Sequence, residues 1–131
     1  MPRIFVSHAR STAKQAGLIA DGLRQAGYEV WIDDQLLGYG SFADAIEEQL
    51  NAADAVVVAW SIEAVRSEWV RAEADRARHA GKLVQVMLEG CALPLPFDQI
   101  HCIDLFAWSG DYEAPGWRSV LTSVATLTGA S

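Results

Sequence analysis

Short apolar runs alternate with amphipathic stretches along this chain, and that alternation constrains its fold more than any other feature. The most apolar run is Ala55-Val56-Val57-Val58-Ala59-Trp60, which reads as a strand. Arg3-Ile4-Phe5-Val6-Ser7 precedes it, with flanks suited to a buried parallel strand. Tyr28-Glu29-Val30-Trp31-Ile32 alternates and is rich in β-formers. Leu83 to Leu88 and Ile100 to Leu105 supply two further strands. Between them lie helical patterns. One starts at Ser11 as a cap and runs to about Ala26, with Ala16, Ile19, Ala20 and Leu23 on one face and Gly27 as its stop. A second spans about Phe42 to Ala52, with Phe42, Ile46 and Leu50 four apart. A third begins after Ser67, a good N-cap, and ends at Gly81. The last covers about Trp117 to Leu127, with Pro115 near its start.

Strands alternating with helices imply a parallel sheet with right-handed crossovers. Five of them suit an α/β, flavodoxin-like three-layer sandwich with a five-stranded parallel sheet in the order 2-1-3-4-5. Ligands in such sheets sit beyond the carboxyl ends of the strands, at the switch point beside strand one. The segments at that edge are Ser7–Arg10, Asp33–Phe42 and Ser61–Glu73. The last of these carries Trp69 and Glu73, four apart and so on one helical face. A flat aromatic surface then stands beside a carboxylate, a pair able to bind a ring and stabilise a cation. A core Trp beside a solvated Glu would have the same spacing.

With 131 residues the chain suits one domain, 1–131, able to bury a real core. The tail Thr128-Gly129-Ala130-Ser131 has the composition to begin a linker, and a sensor or partner domain beyond it is expected. Met1-Pro2-Arg3 leads directly into a strand-like run, without a secretory signal, and no apolar stretch approaches membrane-spanning length. The net charge of −7 argues against nucleic-acid and anionic-membrane surfaces. Basic residues between Arg66 and Lys82 are interleaved with acids and read as a solvated helix face. Cys91 and Cys102 match no metal or redox spacing and read as free thiols in a reducing cytoplasm, the expected location.

Other chemistries fit less well. Gly38-Tyr39-Gly40-Ser41-Phe42-Ala43 matches a relaxed dinucleotide fingerprint but follows strand two, and the acid expected at the end of the next strand is missing. Asp33-Asp34 could mimic a phosphate receiver's acidic pair, but strand three ends at Trp60, where the acceptor Asp should be. His8, His79 and His101 have no partners at metal-ligand spacing, so no metal is expected. No P-loop, nucleophile elbow or Ser/His/Asp constellation is visible.

Three boxes in register resemble a TIR domain (Toll/interleukin-1 receptor), of the bacterial NAD⁺-cleaving type. Phe5-Val6-Ser7-His8-Ala9-Arg10 resembles the family's opening box. Val30-Trp31-Ile32-Asp33 with Leu37-Gly38-Tyr39-Gly40-Ser41-Phe42 resembles its second strand and BB loop. Ser67-x-Trp69-x-x-x-Glu73 resembles the box that carries the catalytic glutamate of TIR enzymes. Two departures are visible: no proline stands in the BB loop, and Ala72 occupies a position where some TIR enzymes carry an aromatic. The resemblance implies cleavage of the nicotinamide–ribose bond of NAD⁺, giving ADP-ribose or a cyclic variant. NAD⁺ is then a consumed substrate, and no cofactor is implied. Glu73 would be the catalytic carboxylate. Trp69 would stack on a ring, Arg10 face phosphates or ribose, Phe42 line the nicotinamide pocket, and Ser7 and His8 offer hydrogen bonds. Tyr39 would be an exposed contact of the BB loop. Self-association with other TIR protomers and a role as effector in bacterial defence or signalling are implied too. The alternative is a non-catalytic module acting through homotypic contacts.

Overall fold

The computed structural model describes residues 2–32 and 42–129, the side chains at 42 and 43 excepted. Strands β1 (Arg3–Ser7), β2 (Glu29–Ile32), β3 (Ala55–Trp60), β4 (Leu83–Met87) and β5 (Cys102–Asp104) form one parallel sheet. Their order is β2-β1-β3-β4-β5, as the alternation implied. Helices α1 (Ala13–Gln25), α2 (Phe42–Ala52), α3 (Glu68–His79) and α4 (Pro115–Thr128) cover its two faces. Successive side chains of a strand point to opposite faces. Ile4 and Val6 therefore join the core under α1 and α4, with Ile19, Leu23, Val57, Trp117 and Val120. Phe5 joins the core under α2 and α3, with Ile46, Leu50, Val56, Val58, Trp60 and Val70. All six β3 residues are fully buried, because helices pack against both of its faces.

The α1 face is buried as its spacing required: Ala16, Ile19, Ala20 and Leu23 are all inaccessible. Its start differs from expectation. Ser11 does not cap it; a 3-10 turn, Arg10–Thr12, leads into α1, and Thr12 at the cap position makes no side-chain capping bond. The Thr12 hydroxyl donates instead to the Ala9 carbonyl at 3.2 Å. Tyr28 precedes β2 and is buried in the core. Strand β5 is shorter than the expected 100–105. The carbonyls of Ile100 and His101 accept from the buried Gln85 amide, at 3.2 and 3.3 Å, and this side chain holds them before the strand begins. Helix α4 starts at Pro115, since a first-turn proline loses no hydrogen bond. Gly116 lets that turn approach β5: a Cβ there would lie 2.9 Å from the Asp104 carbonyl oxygen. Lys82 is not part of a solvated face. Its ammonium donates to the carbonyls of Leu50, Asn51 and Ala53, at 3.0, 3.3 and 2.7 Å, and so caps the end of α2. No described helix is long and apolar enough to cross a membrane.

Candidate functional site

Helix α3 starts at the carboxyl edge of the sheet. The Ser67 hydroxyl accepts from the Val70 amide at 3.2 Å, while Ser67 itself stays extended. This cap fixes where the helix begins and therefore which way its faces point. Val70, Ala74 and Ala77 face the sheet and are fully buried. Trp69 and Glu73 lie one turn apart and both line a cleft of about 260 Å³ between α2 and α3. Ile46, Glu47 and Leu50 form the α2 wall; Ala72 and Arg76 complete the α3 wall. The cleft is mostly apolar, with one deeply set acid.

That acid is Glu73, 3% exposed. Its Oε1 accepts from the Ser7 hydroxyl at 2.6 Å, across 66 residues of sequence. Ser7 is the last residue of β1 and wholly inaccessible. A carboxylate this buried is costly unless donors surround it, and a short hydroxyl bond to an ionised oxygen is among the stronger ones available. At the mouth, Arg76 Nη1 donates to Glu47 Oε1 at 3.2 Å and to Asn51 Oδ1 at 3.2 Å, tying α3 to α2. This pair is half exposed, so it orients the walls more than it stabilises the fold.

Glu73 and Trp69 are thus brought together, and Ser7 joins them through Glu73 rather than by lining the cleft. Trp69 does two jobs, since it also packs on the apolar core under α2 and α3. His8 is buried, and its Nδ1 lies 2.7 Å from the Ala9 carbonyl, an oxygen that can only accept. Arg10 is exposed in the 3-10 turn at the same edge and is not part of the cleft lining. Phe42 opens α2, one turn before Ile46, and its side chain lies outside the described residues. Tyr39, with Asp33, Asp34 and the rest of the BB-loop segment, lies outside them too. The sequence marks Ile46 and Leu50 only by their spacing along α2 and gives no sign of Glu47 or Arg76 as cleft residues. The signal was the apolar spacing of four on α2, which marks a face but not what that face meets. Among the described residues, no three His, Cys, Asp or Glu side chains converge as a metal set.

A family model for the TIR domain matches residues 4–121. This chain belongs to the TIR domain family. Solved structures agree on the fold. The TIR domain of the Toll-related receptor TRR-2 from Hydra magnipapillata superposes with a TM-score of 0.75 at 14% identity, covering 92% of this chain and 96% of that one. A metazoan TIR-STING receptor from C. gigas, solved with 2',3'-cGAMP, gives 0.67 at 20% identity; this chain covers 95% of itself and spans only 39% of that receptor. The TIR domains of the activated Roq1 resistosome, which recognises the effector XopQ, give 0.58 at 17% identity over 99% of this chain and 83% of that one. At these identities the likeness carries the TIR fold alone, and the Ser7–Glu73 bond and the α2–α3 cleft belong to this chain's own residues.

Proposed function

We propose that this TIR domain cleaves the N-glycosyl bond between nicotinamide and ribose in NAD⁺, with NAD⁺ as consumed substrate and no further cofactor. The observation that carries the reading is the buried Glu73 carboxylate at the wall of an apolar cleft beside Trp69. Nicotinamide is already cationic in NAD⁺, so it leaves without a general acid. Positive charge then develops on the ribose, as an oxocarbenium-like transition state. A carboxylate held in place before the reaction stabilises that charge without reorganising, which is the most effective form of electrostatic catalysis. Trp69 offers a ring face for the nicotinamide or adenine, and Arg10 a cation at the same edge for phosphates or ribose. Ile46 and Leu50 give the facing wall an apolar surface, and water, or an internal nucleophile for a cyclic product, bonds to the ribose carbon that nicotinamide leaves. The resemblance of Ser67-x-Trp69-x-x-x-Glu73 to the catalytic box of TIR enzymes supports the same assignment. Product release as ADP-ribose or a cyclic variant, self-association with other protomers, and service as effector in bacterial defence or signalling complete the proposal.

The test is nicotinamide release from NAD⁺ by concentrated protein, compared with Glu73→Ala. Wild type should turn over and the variant should not; equal silence from both, under conditions that drive assembly, ends the enzymatic reading.

An adhesive role is favoured by a separate observation. Ile62 and Phe106 are half exposed at the carboxyl edge of the sheet. Glu89 Oε1 accepts from the Ile62 amide, and Phe106 lies beside Gly90, so the two apolar side chains flank one short segment. Pull-down by a tagged second copy that survives Glu73→Ala but is lost with Ile62→Asp would support contact as the function.

A further inference from the structure

Ser7 stands where packing alone would place an aliphatic side chain. It follows Phe5 by two residues, so it points to the same face of β1 as Phe5. That face is apolar on both central strands, with Phe5, Val56, Val58 and Trp60 all fully buried in the core under α2 and α3. Ser7 pairs in register with Val58 and is itself fully buried. A buried hydroxyl costs stability unless it is bonded, and the bond it makes is to Glu73 Oε1 at 2.6 Å. The strand backbone is held in the middle of the sheet, with β2 and β3 on either side of β1. The backbone that carries the donor is therefore fixed within the sheet.

The geometry points to Ser7 as a positioning residue that holds Glu73 ionised and aimed at the cleft. This rests on the reading of Glu73 as the catalytic carboxylate and departs from the expectation that Ser7 bonds substrate. A hydroxyl donor stabilises the carboxylate over the carboxylic acid. Removing it leaves the buried oxygen without that donor, and the acid form gains. Activity that needs the carboxylate is then confined to higher pH. The bond is made before substrate enters, so its loss acts on kcat and on the acid limb of the pH profile, and leaves KM for NAD⁺ near its wild-type value.

The experiment follows the Glu73 carboxyl directly by ¹³C NMR titration of protein labelled at the glutamate carboxyls, with the Glu73 signal assigned by its loss in Glu73→Gln. In Ser7→Ala the midpoint should rise by about one to two pH units, the equivalent of a hydrogen bond to a charged group. Ser7→Thr, which keeps the hydroxyl, should return it to within about half a unit of wild type. Should Ser7→Ala not fold by circular dichroism, Ser7→Cys, with its weak S–H donor, should give a smaller rise in the same direction. A midpoint unmoved in the folded variant overturns the inference. In active protein the acid limb of kcat/KM should move with the midpoint. A wild type that releases no nicotinamide would sink the enzymatic reading, yet the titration would still decide whether Ser7 governs Glu73.

Discussion

Two glycines in α1 offer an internally controlled test of the packing. Helix propensity alone favours Ala over Gly by about 1 kcal/mol at both Gly17 and Gly22. The surroundings differ. A Cβ at Gly17 would meet nothing within 4 Å. One at Gly22 would lie 2.4 and 2.9 Å from two atoms of the Trp117 ring and 2.6 Å from Tyr112. Those rings cannot easily retreat. Trp117 is 1% exposed and stacks on Trp108 at 5.2 Å with 9° between planes, and Tyr112 donates its hydroxyl to the Leu18 carbonyl at 2.8 Å. Overpacking of this kind costs about 2–3 kcal/mol. Less the propensity gain, Gly22→Ala should destabilise by about 1–2 kcal/mol, a fall in Tm of roughly 4–8 °C. Gly17→Ala should instead gain about 0.5–1 kcal/mol. Urea unfolding followed by tryptophan fluorescence measures both, and the Gly22→Ala spectrum should itself change as Trp117 shifts. If Gly22→Ala proves as stable as wild type, α1 does not pack on the Trp108–Tyr112–Trp117 cluster as described.

Glu73→Gln keeps the side chain's size and can still accept from Ser7. NAD⁺ cleavage should fall roughly 10²–10³-fold while thermal stability holds or rises, because a buried charge is gone; activity and stability lost together would mark Glu73 as a structural acid instead. Gln85→Leu strands the buried Trp60 indole N–H, which now donates to Gln85 Oε1 at 3.0 Å, and releases the carbonyls of Phe97, Ile100 and His101. Chemical denaturation should show a loss of about 2–4 kcal/mol, with faster amide exchange across 97–101. Burial, then Cys91 and Asp104, push the Cys102 thiol up to about 12 from its ordinary 9.0. At pH 8 its thiolate should be scarcer than in the unfolded chain by roughly a thousandfold, so alkylation should label Cys102 last. The sign for stability follows. Keeping that thiol neutral stabilises the fold in full below about pH 9, and the contribution is lost as pH rises toward about 12, which an alkaline unfolding titration of Cys102→Ala against wild type would register.

Much of the fold was legible because its signals are local. The uninterrupted Ala55–Trp60 run, the α1 face and the stops at Gly27 and Gly81 each follow from a few neighbouring residues, and both glycines adopt positive φ. Ser67 capped α3 as its position implied. The misjudged details depend on distant partners. Ser11 looked like a cap, but a tight turn between β1 and α1 took that place. Ile100 looked like strand, but a glutamine 15 residues earlier claims its carbonyl. The site divides in the same way. Trp69 and Glu73 share a face by helical spacing alone, and they share the cleft. That Ser7 would bond Glu73 had no local sign, since only the pairing of β1 with β3 and the packing of α3 bring residues 66 apart in sequence together. The α2 wall was hidden likewise, because its apolar spacing is the same whether the face meets core or cavity.

Lys82 gives the cleft an uneven stiffness. Its three bonds clamp the carboxyl end of α2, at the opposite edge of the sheet from the start of α3. A helix of 11 residues is about 16 Å long. Lys82 holds its carboxyl end, and the Arg76 bonds to Glu47 and Asn51 hold the helix to α3. A tilt of about 5° would carry Ile46 sideways by about 0.8 Å and Leu50 by only about 0.3 Å, taking about 1.5 Å of rise per residue from the clamp. Such a tilt would widen the gap between the helices more at Ile46 than at Leu50, and it would pull against the Arg76–Glu47 bond.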